Sequence, residues 1–164
     1  MPTQEIRAQR FSVISGKAFT EVVRAIDAKI GHPDMAKFRA DVAASRSDAQ
    51  LEEVVSNAVG PTGLMEFARF DIGEVLRKEL GEKARQSVRL VAGNPLIMKQ
   101  MVKHVPDAAS YAPVTILIDE RADGVHLSYD RMASFLATYG NQDALKVAQD
   151  LDKKVEALLM ESAS

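Results

Sequence analysis

Gly93-Asn94-Pro95 stands between an apolar run, Val88 to Ala92, and a helical pattern from Pro95 to His104. A helix that starts just past a strand presents unpaired backbone N–H groups and the positive end of its dipole. Such an end binds phosphates and carboxylates, and Lys99, one turn in, adds charge. Cap chemistry accounts for the same residues without a ligand: Gly makes the turn, Asn caps the helix and Pro fixes its first residue.

Other residues of chemical interest are scattered. Met98, Met101 and His104 fall at three-residue spacing, and their soft or borderline donors suit copper or haem iron. The same spacing puts Met98 and Met101 on a core-facing stripe with Ile97 and Val102, where Met usually fills space. His104, at a helix end, is also explained by the dipole. His126 is a candidate general acid/base with Asp71 or Asp119 to orient it. Ser128, His126 and Asp119 resemble a triad in composition, but residues two apart on a strand project in parallel and no nucleophile elbow surrounds the Ser. Arg69, Asp71, Glu74 and Arg77 alternate in sign, as in a pocket for an acidic ligand or on a solvated, salt-bridged surface. Phosphate loops, zinc motifs and dinucleotide fingerprints are absent, and Gly60-Pro61-Thr62-Gly63 is a turn.

The elements that must position these residues follow from periodicity. Phe11 to Ser15 reads as a short strand. Phe19, Val22, Val23, Ile26 and Ile30 share one helix face, with Gly31 as C-terminal cap. Pro33 opens a second helix, and Ser47 with Gln50 forms a capping box for a third. Leu64 to Ile72 is a partly exposed strand, Glu74 to Leu80 a short helix and Ser87 to Ala92 a stronger strand. Pro113 to Asp119 and Val125 to Tyr129 make a hairpin around Ala122-Asp123-Gly124. Asn141 caps a final helix striped with Leu145, Ala148, Leu151, Val155, Leu158 and Leu159. The pattern predicts an α+β fold: a single mixed, largely antiparallel β-sheet with packed helices, plus an added N-terminal helical segment. One domain spans 1–164, with a helical insertion at 32–60, a core at 62–139 and a C-terminal helix at 141–160. Val114, Ile116 and Ile118 face one way and Thr115, Leu117 and Asp119 the other. The second sheet face is partly apolar, which favours a homodimer.

Composition narrows the classes. The 164 residues are 46% hydrophobic and contain no Cys, which removes disulfides, thiolate metal sites and Cys nucleophiles. With 21 basic against 23 acidic residues, net charge −2, no Trp and no basic block, nucleic-acid binding is not expected. Apolar runs fall well short of the roughly 18 residues of a membrane span. Met1 to Arg7 has no apolar signal core. A cytoplasmic location is the expectation.

Leu64 to Tyr129 resembles the family catalogued as "domain of unknown function 302". The resemblance is carried by Phe67-Ala68-Arg69-Phe70-Asp71, by Val91-Ala92-Gly93-Asn94-Pro95, by the strand led by Pro113, and by Gly124 leading to Tyr129. Phe11 to Ile30 is similar more loosely to the family's opening strand and helix. Two departures stand out: Ile72 follows Asp71 where members often have His, and Leu96-Ile97-Met98-Lys99 replaces a frequent Gly-Thr pair. The resemblance implies a small α/β-type domain, often dimeric, with no established activity.

The expectation is therefore a non-catalytic binder of a small ligand, anionic ones included. Its site would lie at the strand ends around Arg69, Asp71, Gly93, Asn94, Tyr111, His126 and Tyr129, with Tyr111 and Tyr129 as aromatic walls. Three rivals stand beside it: a haem- or metal-binding protein using His104, His126, Met98 or Met101; an acid/base enzyme using His126; and a dimeric scaffold. No cofactor is named by the sequence.

Overall fold

The alternation from Val114 to Asp119 requires a strand with two unlike faces, and the computed structural model, which describes residues 3–164, puts it at the middle of a five-stranded sheet. In chain order the elements are β1 (Arg10–Ser15), α1 (Phe19–Asp27), α2 (Met35–Ala44), α3 (Asp48–Ala58), β2 (Met65–Asp71) and α4 (Ile72–Leu80). There follow β3 (Ser87–Gly93), α5 (Pro95–Val102), β4 (Val114–Arg121), β5 (Gly124–Asp130), α6 (Met132–Leu136) and α7 (Gln142–Ala163). The strand order is β1-β5-β4-β3-β2, and all four strand pairs are antiparallel. The mixed character expected of the sheet reduces to one parallel bridge, Gly31 to Met65.

One face of the sheet is core. Leu90, Ala92, Val114, Ile116, Ile118, Val125, Leu127 and Tyr129 project into it and are buried. They meet Phe19, Val22 and Ile26 of α1, Met101 of α5 and the stripe Ala144, Ala148, Leu151, Val155, Leu158 and Leu159 of α7. Each fully buried Leu or Ile contributes about 1.5–3 kcal/mol against exposure. Helix α7 starts where Asn141 Oδ1 accepts from Ala144 N at 2.9 Å. The 32–60 block brings its own smaller core, in which Phe38, Val55 and Ala58 close on Met65 with Leu51, Phe67 and Leu96 around them.

Three local expectations shift. Helix α1 ends at Asp27, so Gly31 is not its cap. Instead the Gly31 N–H donates to Leu64 O and its carbonyl accepts from Glu66 N, both at 2.8 Å. A Cβ there would lie 1.8 Å from Ala58 O, so only glycine permits the approach. Pro33 lies outside α2, whose N-cap is Asp34, accepting from Lys37 N at 2.8 Å. Ser47 caps α3 as read, but Gln50 Oε1 accepts from Arg46 N rather than closing the box on Ser47.

Helix α4 stands apart. Only Ile72 and Gly73 are covered, while Val75, Leu76 and Leu80 are 68%, 40% and 47% exposed. Among the described residues no helix is long and apolar enough to cross a membrane.

Candidate functional site

The outer face of the sheet holds a row of side chains set by strand register. Arg89 of β3 lies opposite Leu117 of β4, and Leu117 opposite Ser128 of β5. Thr115, two residues before Leu117, shares that face. Above them is an open cavity of about 400 Å³, lined also by Ser110, Tyr111 and Phe135 and, on the β1–β5 side, by Arg10 and Asp130. The volume lies within the range of about 300–1,000 Å³ usual for small-molecule pockets.

The wall is preorganised. The Tyr111 and Phe135 rings stack with centroids 4.7 Å apart and planes 8° from parallel. Tyr111 is fixed further by a 2.8 Å hydrogen bond between its hydroxyl and that of Tyr139. That bond is the first cause holding the Tyr139 hydroxyl above the usual tyrosine range. Phe135 rides on α6, and α6 is held by Asp152 of α7. The Asp152 carboxylate accepts from Met132 N at 2.8 Å and Ala133 N at 3.0 Å, taking up the first amides of that helix. Burial pushes the Asp152 carboxyl above the usual range despite those bonds.

The charges around the cavity are unevenly committed. Arg10 forks onto Asp130 with bonds of 2.8 and 2.9 Å, so that pair is internally neutral. Arg89 has no carboxylate partner among the described residues; its guanidinium lies 5.6 Å from the centroid of the Phe70 ring. The lining thus offers one uncommitted positive charge and the hydroxyls of Thr115, Ser128 and Ser110.

The residues singled out from sequence do not gather here. Tyr111 lines the cavity as expected. Tyr129 borders it, but its hydroxyl is turned to the core, donating to Asp152 and Glu156 at 3.3 Å, and burial drives its pKa upward. Gly93 and Asn94 line a separate void of about 10 Å³, which has room for about one water. The Asn94 side chain serves the fold: Oδ1 accepts from Leu96 N and Ile97 N, and Nδ2 donates to Gly63 O at 2.9 Å. Asp71 caps α4 through Glu74 N and accepts from Arg77. His126 lies outside both cavities and bonds Asp123 of the hairpin turn at 2.9 Å; Asp119, its expected orienter, is taken by Arg121. Register places Asp119 directly across from His126, yet neither Asp119 nor Asp71 bonds it. The soft-ligand cluster also dissolves, because Met101 is wholly buried, Met98 packs against the core and His104 is exposed beyond α5.

A different cluster appears at the β2 edge. Asp27, His32 and Glu66 place ligand atoms within 4.8 Å of one another. Arg69 occupies its centre, donating to Glu66 at 3.1 and 2.7 Å and to both oxygens of Asp27. His32 bonds Glu66 at 3.1 Å and the Asp27 carbonyl at 2.9 Å. Hydrogen bonding to Asp27 first, and to Glu66, holds the Arg69 guanidinium above its usual pKa. A cation already sits between these carboxylates, so the group reads as a clamp of β2 onto α1 rather than a metal seat.

Sequence reading missed Arg10, Arg89, Ser110, Thr115, Leu117, Ser128, Asp130 and Phe135 as one site. A signal existed in the polar-apolar mixture of the second face of the hairpin. What it lacked was any hint that Tyr111 and Phe135 fold over that face.

The family described as Domain of unknown function DUF302 matches this chain over residues 40–162. The match starts within α2, takes in α3 and leaves β1 and α1 outside it. The chain is also similar to a crystal structure described as an uncharacterized conserved protein DUF302 from Bacillus stearothermophilus. The TM-score is 0.65 at 12% identity, covering 93% of this chain and 97% of that one, a likeness of fold. No curated protein matches the chain.

Proposed function

We propose that this chain, which belongs to the DUF302 family, is a non-catalytic binding protein that holds a small ligand over the outer face of its sheet. The observation that supports this reading is the 400 Å³ cavity, with a sheet floor, a stacked aromatic wall and polar groups converging on it. The acidic side chain of the lining, Asp130, is tied to Arg10, so the site offers donors and apolar surface rather than a free base.

The test is a fragment titration followed by amide chemical shifts. Shifts concentrated at Thr115, Leu117 and Ser128, and abolished by the cavity-filling Leu117→Trp, are the expected result. Shifts confined to other surfaces would overturn the reading.

A second reading, self-association, is favoured by α4. A nine-residue helix is marginal alone in water, yet this one keeps Val75, Leu76 and Leu80 in solvent. Native mass spectrometry of wild type and of Val75→Glu/Leu80→Glu tests it: a dimer lost in the variant supports the reading, and a monomeric wild type removes it.

A further inference from the structure

We infer that the ligand of this cavity is a small amphipathic monocarboxylate with a flat apolar body; the inference rests on the cavity being a ligand site. The charge count around the lining is the first reason. Arg10 and Asp130 cancel in a bidentate pair, which leaves Arg89 as the uncommitted charge. A guanidinium fork matches a carboxylate in shape and charge.

A phosphate dianion fits less well. Phosphates are usually held by several amides or a helix start as well as a cation. Helix α6 carries the lining residue Phe135, and its Met132 and Ala133 amides already serve Asp152. One guanidinium would leave a dianion half compensated, whereas a monoanion is matched.

The rest of the lining fixes the body of the ligand. Leu117 in the floor and the stacked pair Tyr111 and Phe135 in the wall offer apolar contact, and aromatic pairs prefer offset or edge packing against a further ring. Thr115 and Ser128 stand beside Leu117 on the same face, in position to hydrogen-bond the second carboxylate oxygen.

The probes are naphthoate, naphthalenemethanol and naphthyl phosphate, which share one ring system and differ in head group. Titrations are read by calorimetry and by the amide shifts of Thr115, Leu117 and Ser128. Naphthoate is expected to bind at least about tenfold more tightly than either analogue. Arg89→Gln should erase that advantage and Arg89→Lys should keep only part of it, with unchanged spectra elsewhere confirming the fold. Equal binding of the alcohol and the acid would overturn the monocarboxylate assignment while leaving the cavity as a ligand site. Tightest binding of the phosphate would overturn it in favour of a dianion. No shift at the floor residues with any probe would remove both the assignment and the site.

Discussion

The guanidinium of Arg89 lies over the ring of Phe70, 5.6 Å from its centroid, and Phe70 is itself 49% exposed. Register places the two directly opposite each other on β2 and β3. An arginine resting on an aromatic ring, with no carboxylate partner among the described residues, is available to an incoming anion. Exposed cation–π contacts are worth about 0.5–1 kcal/mol. Arg89→Gln is therefore expected to change folding stability by less than about 1 kcal/mol in urea titrations while weakening anionic probes. A larger loss of stability would assign Arg89 to the fold instead of the site.

The wall should behave as a coupled unit. Tyr111 and Phe135 come from separate segments and meet in the stack. A double-mutant cycle with Tyr111→Leu and Phe135→Leu should give a coupling energy of about 0.5–1.5 kcal/mol. Additive effects would show that the stack contributes no more than its buried area.

Asp152 gives a pH signature. Its folded-state carboxyl is raised, chiefly by burial, so the folded chain keeps a proton that the unfolded chain has released. Stability from this group is complete below the unfolded value, about 3.9, and is lost as pH rises through the folded value. Asp123 and Asp150 shift downward, through His126 and Lys153 first, and act in the opposite sense at lower pH. The margin of wild type over Asp152→Asn should shrink as pH rises above about 4 in denaturant titrations. A margin that grows with pH would mean that the Met132 and Ala133 amides outweigh desolvation.

Asn94 separates structure from binding. Its side chain caps α5 and ties it to Gly63. Asn94→Ala should cost about 1–2 kcal/mol of stability and leave probe binding at the outer cavity unchanged. Loss of binding in a folded Asn94→Ala would restore the strand-end site expected from sequence.

The clamp at the β2 edge makes a complementary prediction. Arg69→Ala leaves Asp27, Glu66 and His32 together without their central cation. Thermal shifts with added zinc should be negligible for wild type and positive for the variant, since a ligand of the folded state alone raises its stability. A wild-type shift that His32→Ala removes would make the cluster a metal site after all.

Much of the fold was legible locally. The stripe of α7, the Asn141 cap, the Gly93-Asn94-Pro95 entry to α5 and the hairpin at Ala122-Asp123 depend on spacings of two, three and four residues, which a linear sequence displays. The alternation of β4 likewise told that Thr115 and Leu117 share a face. The cavity was not legible, because its parts meet through tertiary packing. Arg89, Leu117 and Ser128 become neighbours only through the register of three strands. Tyr111 and Phe135 become a wall through packing, with Asp152 on the following helix, α7, holding the first amides of α6. Asn94 looked like an anion-binding residue for a sound reason, but its Oδ1 takes up the Leu96 and Ile97 amides that an anion would have met, and its Nδ2 donates to Gly63 O. Sequence set the elements and their faces, since these follow from backbone hydrogen bonding and side-chain period. Which polar groups stay free for a ligand was decided by long-range pairing, since a side chain's partner depends on what the fold brings beside it.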